Sequence, residues 1–302
     1  MRYYFYKRLA KCHPLPAFFC EYVFYATQAL LERPTYVLAS YPKCGRTWLH
    51  YMLMTYYGRK YGHPEATRLI SMSRRNRRIP SVMLTHDGKI CLPWSRHKWP
   101  YSGRYIVFMS RDPRDAVVSH YHHCRHRDGV YQGEITDFIR DKYYGASAII
   151  DFMNAWWDAR EHLTASHFCR YEDLLTDTRS EVTAVLSFLA EDTVDQCALE
   201  QALDAGSFEN MRRYENDATT RISGLTQCGS SDNSRKVRKG EPGCYRAELI
   251  QRDVEYLDGL VAERLNPQFG YCPAQFRSEH YYTEMASPPA GLLPDAGGGP
   301  IV

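Results

Sequence analysis

An α/β fold, a single domain whose central parallel sheet is flanked by helices on both faces, is predicted for this 302-residue chain by three observations. Short apolar runs of strand length alternate with longer segments of helical length, the pattern of successive βαβ units. The first of those runs ends in a Pro/Gly turn that opens directly into a helix. The composition, 44% hydrophobic and 24% charged, excludes a disordered, collagen-like or multi-span membrane chain.

Taken in order, Arg2, Lys7, Arg8 and Lys11 precede an apolar stretch from Pro16 to Leu31 that contains Glu21 and Gln28. The stretch falls short of the ~20 residues a spanning helix needs. A helix packed on the domain is expected, with a membrane-surface helix anchored by Tyr3, Phe5, Phe18, Phe19 and Phe24 as the alternative. Residues 1–34 thus form a helical, aromatic preamble and residues 35–272 the domain. Within it, strands are expected at Tyr36–Ser40, Val82–Thr85, Arg104–Ser110 and Ser166–Arg170. Helices are expected at Thr47–Tyr57 (stopping before Gly58), Ala116–His126, Ala148–His162, Arg179–Ala190 and Val194–Ala205. Ile222–Lys239 is rich in Gly, Ser, Asp and Asn and ends in the basic run Arg235–Lys239, which suits a mobile loop that orders on an anion. Residues 273–302 form a tail, expected to be disordered from about Ser287 by its prolines and Gly297–Gly299.

The charge balance, 38 Lys+Arg against 35 Asp+Glu, gives a net +3 and disfavours a dedicated nucleic-acid binder, so any basic site is local. Ten cysteines are scattered with no CxxC pair, which is neither a disulfide framework nor a zinc knuckle. With no convincing signal peptide, reduced thiols in a cytoplasmic setting are expected.

The segment Ser40-Tyr-Pro-Lys-Cys-Gly-Arg-Thr-Trp48 joins the first strand to its helix. A glycine turn at a helix start aims backbone N–H groups at one spot, and the positive helix end favours an anion there. Lys43 adds a cation and Thr47 a hydroxyl donor. The nucleoside-triphosphate loop GxxxxGK[ST] puts its lysine directly after the second glycine. Here Lys43 lies two residues before Gly45, Arg46 holds the lysine slot and no glycine stands five residues before Gly45, so a P-loop small-molecule kinase is the weaker alternative.

Tyr41-Pro-Lys-Cys-Gly-Arg-Thr-Trp48 resembles the 5′-phosphosulfate loop, YPKSGTTW, of the cytosolic-type sulfotransferases, which use 3′-phosphoadenosine-5′-phosphosulfate (PAPS). Cys44 replaces the serine and Arg46 the first threonine; neither removes the backbone cradle, and at Cys44 a simple exchange of one small side chain for another is expected, with a lowered thiol pKa at the helix start as the alternative. Tyr105–Ser119 is similar to the family's 3′-phosphate motif, a strand followed by R[ND]PxDxxxS. Asp112 and Pro113 suit a helix start, fixing Arg111 at the strand tip where it can grip a phosphate and Ser119 two turns along. Further on, Arg238-Lys-Gly240 matches the RKGxxG segment, Arg170-Tyr-Glu-Asp-Leu174 the YEDL step and Ser207-Phe-Glu-Asn-Met211 the SFxxM step. The resemblance, spanning about residues 36–265, implies a P-loop-type sheet and a PAPS site. In it Lys43, Cys44, Gly45, Arg46 and Thr47 hold the 5′ end, Arg111, Ser119, Arg238, Lys239 and Gly240 the 3′-phosphate, and Trp48, Tyr171, Ser207 and Phe208 the adenine side.

Sulfuryl transfer resembles phosphoryl transfer, so positioning and charge stabilisation supply most of the catalysis, and this scheme requires no metal. Lys43 is placed to stabilise the bridging oxygen. His86, at the tip of the second strand in Val82-Met-Leu-Thr-His-Asp87, is the candidate general base, and the resemblance assigns the base to a Thr-His pair here. Asp87 is a candidate orienter or rival base. Ser119, by the same resemblance, holds the loop lysine off the sulfate until the acceptor arrives. The partner is a small-molecule acceptor, a saccharide included; nucleic acid is not expected.

Three signals remain. On a regular helix His120 and Cys124 share one face, and His122 and His126 another, so zinc is conceivable, although the family has pocket-lining aromatic residues at this point. Arg74, Arg75, Arg77 and Arg78 form the densest basic patch, which suits a solvated loop or an anionic acceptor. The family's KxxxTVxxxE dimer segment has no Thr-Val counterpart in Arg246–Glu255, so that dimer mode is unsupported.

Overall fold

The computed structural model describes residues 14–63, 68–87, 96–217, 225 and 232–272; the expected tail and half of the Ile222–Lys239 stretch lie outside them. Helix α1 (Pro14–Glu32) sets Ala26 and Ala29 into the interior and leads to β1 (Tyr36–Ser40), all five of whose residues are buried. There follow α2 (Arg46–Tyr61), α3 (Leu69–Arg75), β2 (Val82–Thr85), β3 (Tyr105–Ser110), α4 (Pro113–His122), a π-helical turn (His123–Asp128), α5 (Ile135–Phe138) and α6 (Ala146–Asp158). The chain continues through β4 (Ala165–Arg170), α7 (Tyr171–Thr176), α8 (Thr178–Phe188), α9 (Gln196–Ala205), α10 (Phe208–Asn216), α11 (Tyr245–Glu248) and α12 (Gln251–Arg264).

The strands form one parallel sheet in the order β2-β1-β3-β4, with Val37 level with Met83 on one side and Ile106 on the other. Side chains alternate across it as the pleat requires. Val37, Ala39, Ile106 and Phe108 enter one core with residues of α4, α6 and α12, while Tyr36, Leu38, Val107 and Met109 enter a second with residues of α2, α8 and α9. Burial on both faces is why β1 and β3 read as nearly continuous apolar runs, whereas the edge strand β4 is only partly buried. From β1 the chain moves to β2 and from β3 to β4, in opposite directions along the sheet. The crevice beyond the carboxyl ends of β1 and β3 is therefore a topological switch point, where such sheets bind ligands.

Helix ends depart from expectation for local reasons. Helix α2 runs past the buried Gly58 to Gly62, whose left-handed φ of 71° closes it. Helix α4 begins at Pro113 because Asp112 accepts from Arg114 N at 2.9 Å. After His122 it widens into the π turn. Helix α6 stops at Asp158 and a 3₁₀ turn completes the expected span to His162. Helix α8 stops at Phe188, just before Ala190 takes a φ of 61°, and Asp195 caps α9, which delays its start to Gln196.

Candidate active site

The turn after β1 contains two residues with positive φ, Lys43 at 72° and Gly45 at 87°. Gly45 is the N-cap of α2, and its carbonyl accepts from Trp48 N and Leu49 N at 2.8 and 3.2 Å. A Cβ at position 45 would stand 2.7 Å from Tyr171 Cδ2 and 2.8 Å from Met109 Cε, so only glycine fits under the Tyr171 ring. Arg111 leaves the tip of β3, donates to the Lys43 carbonyl at 3.2 Å and lays its guanidinium 4.5 Å from the Tyr171 ring centre. Trp48 meets Tyr171 edge-on at 5.9 Å and is pinned by its indole N–H on the Gly206 carbonyl at 2.7 Å. These contacts bind the lysine turn, the arginine strand tip and the start of α7 into one wall.

A cavity of about 490 Å³ opens at this wall. Of the residues singled out from the sequence, Lys43, Gly45, Arg46, Thr47, Trp48, His86, Arg111, Ser119, Tyr171, Ser207, Phe208, Arg238, Lys239 and Gly240 all line it. Cys44 does not: its side chain is buried in the core, burial pushes its thiol up to about 12, and its Sγ faces the Pro42 carbonyl. The expected exchange of one small side chain for another therefore holds over the alternative of a lowered thiol pKa; the positive helix end acts too weakly to offset full desolvation. Lys236, His123 and Asp115, which motif reading passed over, also line the cavity. Six basic side chains face it against two acidic ones, Asp115 and Glu241.

That charge is held in place by buried acids. Glu215, fully buried, accepts from the backbone N–H of Lys236 at 2.5 Å and of Val237 at 3.0 Å, and pairs with Arg127 at 3.4 Å. Glu248 accepts from Arg238, Lys239 and His122 at 2.6, 2.8 and 2.5 Å; burial opposes its ionisation, but these donors outweigh it and hold the carboxyl well below its usual range. Asp115 accepts from Gly243 N and Tyr245 N at 2.6 and 3.0 Å, fixing the end of the late loop; burial raises its pKa. Burial, followed by Arg127 and Arg111, lowers Lys43 to about 8, and burial, followed by Lys43 and Arg46, lowers Lys236 to about 7. Gly240, at φ 74°, lies against the Phe208 ring.

His86 is held at both ring nitrogens. Nδ1 lies 2.6 Å from the Ser40 carbonyl, which can only accept, so Nδ1 carries the proton. Nε2 therefore bears the lone pair, and Arg46 Nη2 donates to it at 2.7 Å. The partner of Nδ1 is thus a carbonyl rather than the Asp87 carboxylate expected as orienter, and Asp87 is fully buried off the cavity. Of the histidine-rich stretch only His123 reaches the cavity, and burial lowers its pKa to about 4. His122 stacks on His126 at 5.6 Å while binding Glu248, and His120 packs against Tyr41 and bonds the Tyr144 carbonyl. Among the described residues no group of three or more His, Cys, Asp or Glu is placed to hold a metal ion.

A family model described as a sulfotransferase domain matches residues 102–267, a span that carries Arg111, Ser119 and the late basic loop. Human sulfotransferase 1C2 is 25% identical over 191 residues, covering 62% of this chain, which spans 62% of that relative's length. A flavonol sulfotransferase-like protein of Flaveria bidentis is 26% identical over 272 residues, 80% of this chain and 85% of that one. A crystal structure of a mouse sulfotransferase complexed with PAP shares the fold at a TM-score of 0.56 and 22% identity, covering 78% and 86% of the two chains. Retinol dehydratase in complex with androsterone and inactive cofactor PAP does so at 0.58 and 18%, covering 81% and 85%. More than half of the chain lies within the matched domain, and it belongs to the sulfotransferase-domain family.

Proposed function

We propose that this protein transfers a sulfuryl group from PAPS to a hydroxyl or amine of a small-molecule acceptor, in line and without a required metal. The observation that carries this reading is the convergence of Lys43, residues 45–48, Arg111 with Ser119, and residues 236–240 on one cavity that also contains His86. The cavity fits the nucleotide in size, since ligand sites run to roughly 300–1,000 Å³. It fits in charge as well, because an excess of four basic side chains faces a molecule with about four negative charges.

PAPS, when bound, supplies a sulfuryl group on a phosphate leaving group. Lys43 stabilises the charge that gathers on the bridging oxygen, while Thr47 and the backbone of Gly45 and Arg46 hold the 5′-phosphate. Arg111, Ser119, Arg238, Lys239 and Gly240 hold the 3′-phosphate, and Trp48, Tyr171, Ser207 and Phe208 shape the adenine side. His86 takes the acceptor proton at Nε2, its tautomer set by the Ser40 carbonyl. Arg46 donates to that same nitrogen, so the acceptor hydroxyl takes the place of the guanidinium at the base. Ser119 restrains Lys43 until then.

The test is a thermal shift with adenosine 3′,5′-bisphosphate (PAP) in EDTA, followed by product mass spectrometry after PAPS and a panel of phenols, alcohols, amines and saccharides are offered. PAP stabilises the protein without magnesium and one acceptor class gains a single sulfuryl group. Stabilisation only by ATP with magnesium would instead establish the kinase alternative.

A further inference from the structure

Helix α1 is inverted relative to an ordinary surface helix. Its exposed side carries Phe19, Val23, Phe24, Leu30 and Leu31, the last 78% exposed, and none of its residues described as exposed is charged. Its carboxylates, Glu21 and Glu32, lie on the less exposed side, with Ala26 and Ala29 buried against the domain. A surface helix normally buries its apolar stripe and turns its charges to water. Trp99, 53% exposed, extends the apolar side, its indole N–H donating to the Tyr22 hydroxyl at 3.1 Å.

Exposed arginines stand at the C-terminal end of this face. Arg74 lies 3.6 Å from Glu32, which puts the arginine patch of α3 at the C-terminal end of α1. Arg33, Arg74, Arg75, Arg77 and Arg78 are all exposed. The thirteen residues that precede α1 in sequence contain Arg2, Lys7, Arg8 and Lys11 and no Asp or Glu. No described helix is long and apolar enough to cross a membrane. An uncharged apolar helix face with aromatic residues, bordered by guanidinium groups, has the complement of an anionic lipid surface. A second copy of the chain is a poorer occupant where like ends of α1 meet, since that pairing sets one arginine patch against another.

We propose that the outer face of α1, with Trp99 and the Arg74–Arg78 patch, docks on an anionic bilayer surface. The helix lies in the headgroup region, its apolar side chains among the acyl chains and the arginines on lipid phosphates. The other side of α1 brings Tyr25 and Glu21 into the field of Arg46, so the docked surface lies about 10 Å, one helix diameter, from the His86 end of the cavity.

The test is sedimentation of the full chain with vesicles of 70% phosphatidylcholine and 30% phosphatidylglycerol, against phosphatidylcholine alone. Binding to the anionic vesicles is expected to exceed binding to neutral ones by tenfold or more and to weaken in 0.5 M salt. Phe19→Ser combined with Phe24→Ser and Leu31→Ser loses tenfold or more, and each of Arg74, Arg75, Arg77 and Arg78 changed to Gln loses up to about fivefold. All these positions are exposed, and an unchanged PAP thermal shift shows that the fold and cavity are intact; should the triple variant lose that shift, Leu31→Ser alone carries the measurement. Equal binding to both vesicle types, no binding at all, or binding that survives the serine changes overturns the proposal. So does a wild-type dimer that the serine changes convert to monomer, which would give the face to a second copy.

Discussion

Nucleotide binding is expected to take up protons, because the cavity keeps two lysines partly neutral. With values of about 7 for Lys236 and about 8 for Lys43, the pair lacks about one proton at pH 7.5, which an anion that holds both as ammonium restores. The phosphate groups, with second ionisations near 6, and the arginines add little change above that pH. Between pH 7.5 and 8.5 the PAP dissociation constant should rise roughly 10- to 25-fold, about eightfold of it from Lys236 and threefold from Lys43 if the two titrate independently. Stability without nucleotide moves the other way. Both folded values lie below the ordinary 10.5, so between them and 10.5 the unfolded chain binds more protons, and these lysines make the fold more stable as pH rises through 7–9. Titration calorimetry at pH 7.5 in two buffers of different ionisation enthalpy measures the uptake directly. Lys236→Met should leave about a quarter of a proton and about a threefold pH effect. An uptake below about 0.3 proton in the wild type, with affinity flat across that pH unit, would refute the electrostatic reading of the cavity.

Removal of the proposed base should separate chemistry from binding: His86→Ala is expected to lower turnover by about 10²–10⁴-fold while the PAP dissociation constant from calorimetry stays within about threefold. Ser119→Ala, assayed as PAP release without acceptor, should raise futile PAPS hydrolysis; an unchanged rate would limit Ser119 to phosphate contact. Gly45→Ala meets both a φ of 87° and contacts of 2.7 and 2.8 Å on Tyr171 and Met109. Its cost of about 1–2 kcal/mol for backbone and about 1–3 for overpacking should lower the melting temperature by roughly 5–10 °C. Because the displaced ring is Tyr171, PAP binding should weaken with it, as a melt with and without PAP measures.

The sheet was readable because β1, β2 and β3 are largely buried and so read as apolar runs; β2 falls on the expected Val82–Thr85 run. Helix ends were less so, since they depend on whether Asp112 or Asp195 actually turns its carboxylate back onto the chain. The same division holds at the cavity. Lys43, Arg111 and Arg238 stand in contiguous motifs, because a backbone cradle or a strand-tip grip is built from neighbours in sequence. Lys236 lay inside the basic run Arg235–Lys239 and only its proximity to Lys43 and Arg46 distinguishes it. Glu215 left no local signal at all: it reads as an ordinary helical glutamate until packing buries it beneath the late loop. At Cys44 the alternative of an activated thiol, a local argument about a helix terminus, is defeated by the direction in which the side chain is packed.

Glu215 and Glu248 also bear on how this cluster of cations can stand so close together. Like charges in a partly desolvated cavity repel, and without counter-charge the late loop would gain by moving away. Glu215 fixes its backbone at Lys236 and Val237, and Glu248 pairs with the side chains of Arg238 and Lys239. Protein carboxylates thus hold the backbone and the basic side chains of the described part of the loop in place. Such an arrangement lowers the ordering entropy lost on binding. It also makes any 3′-phosphate share Arg238 and Lys239 with a carboxylate that is already ionised. The first effect favours affinity and the second limits it, so the loop contributes more to where the nucleotide sits than to how tightly it is held.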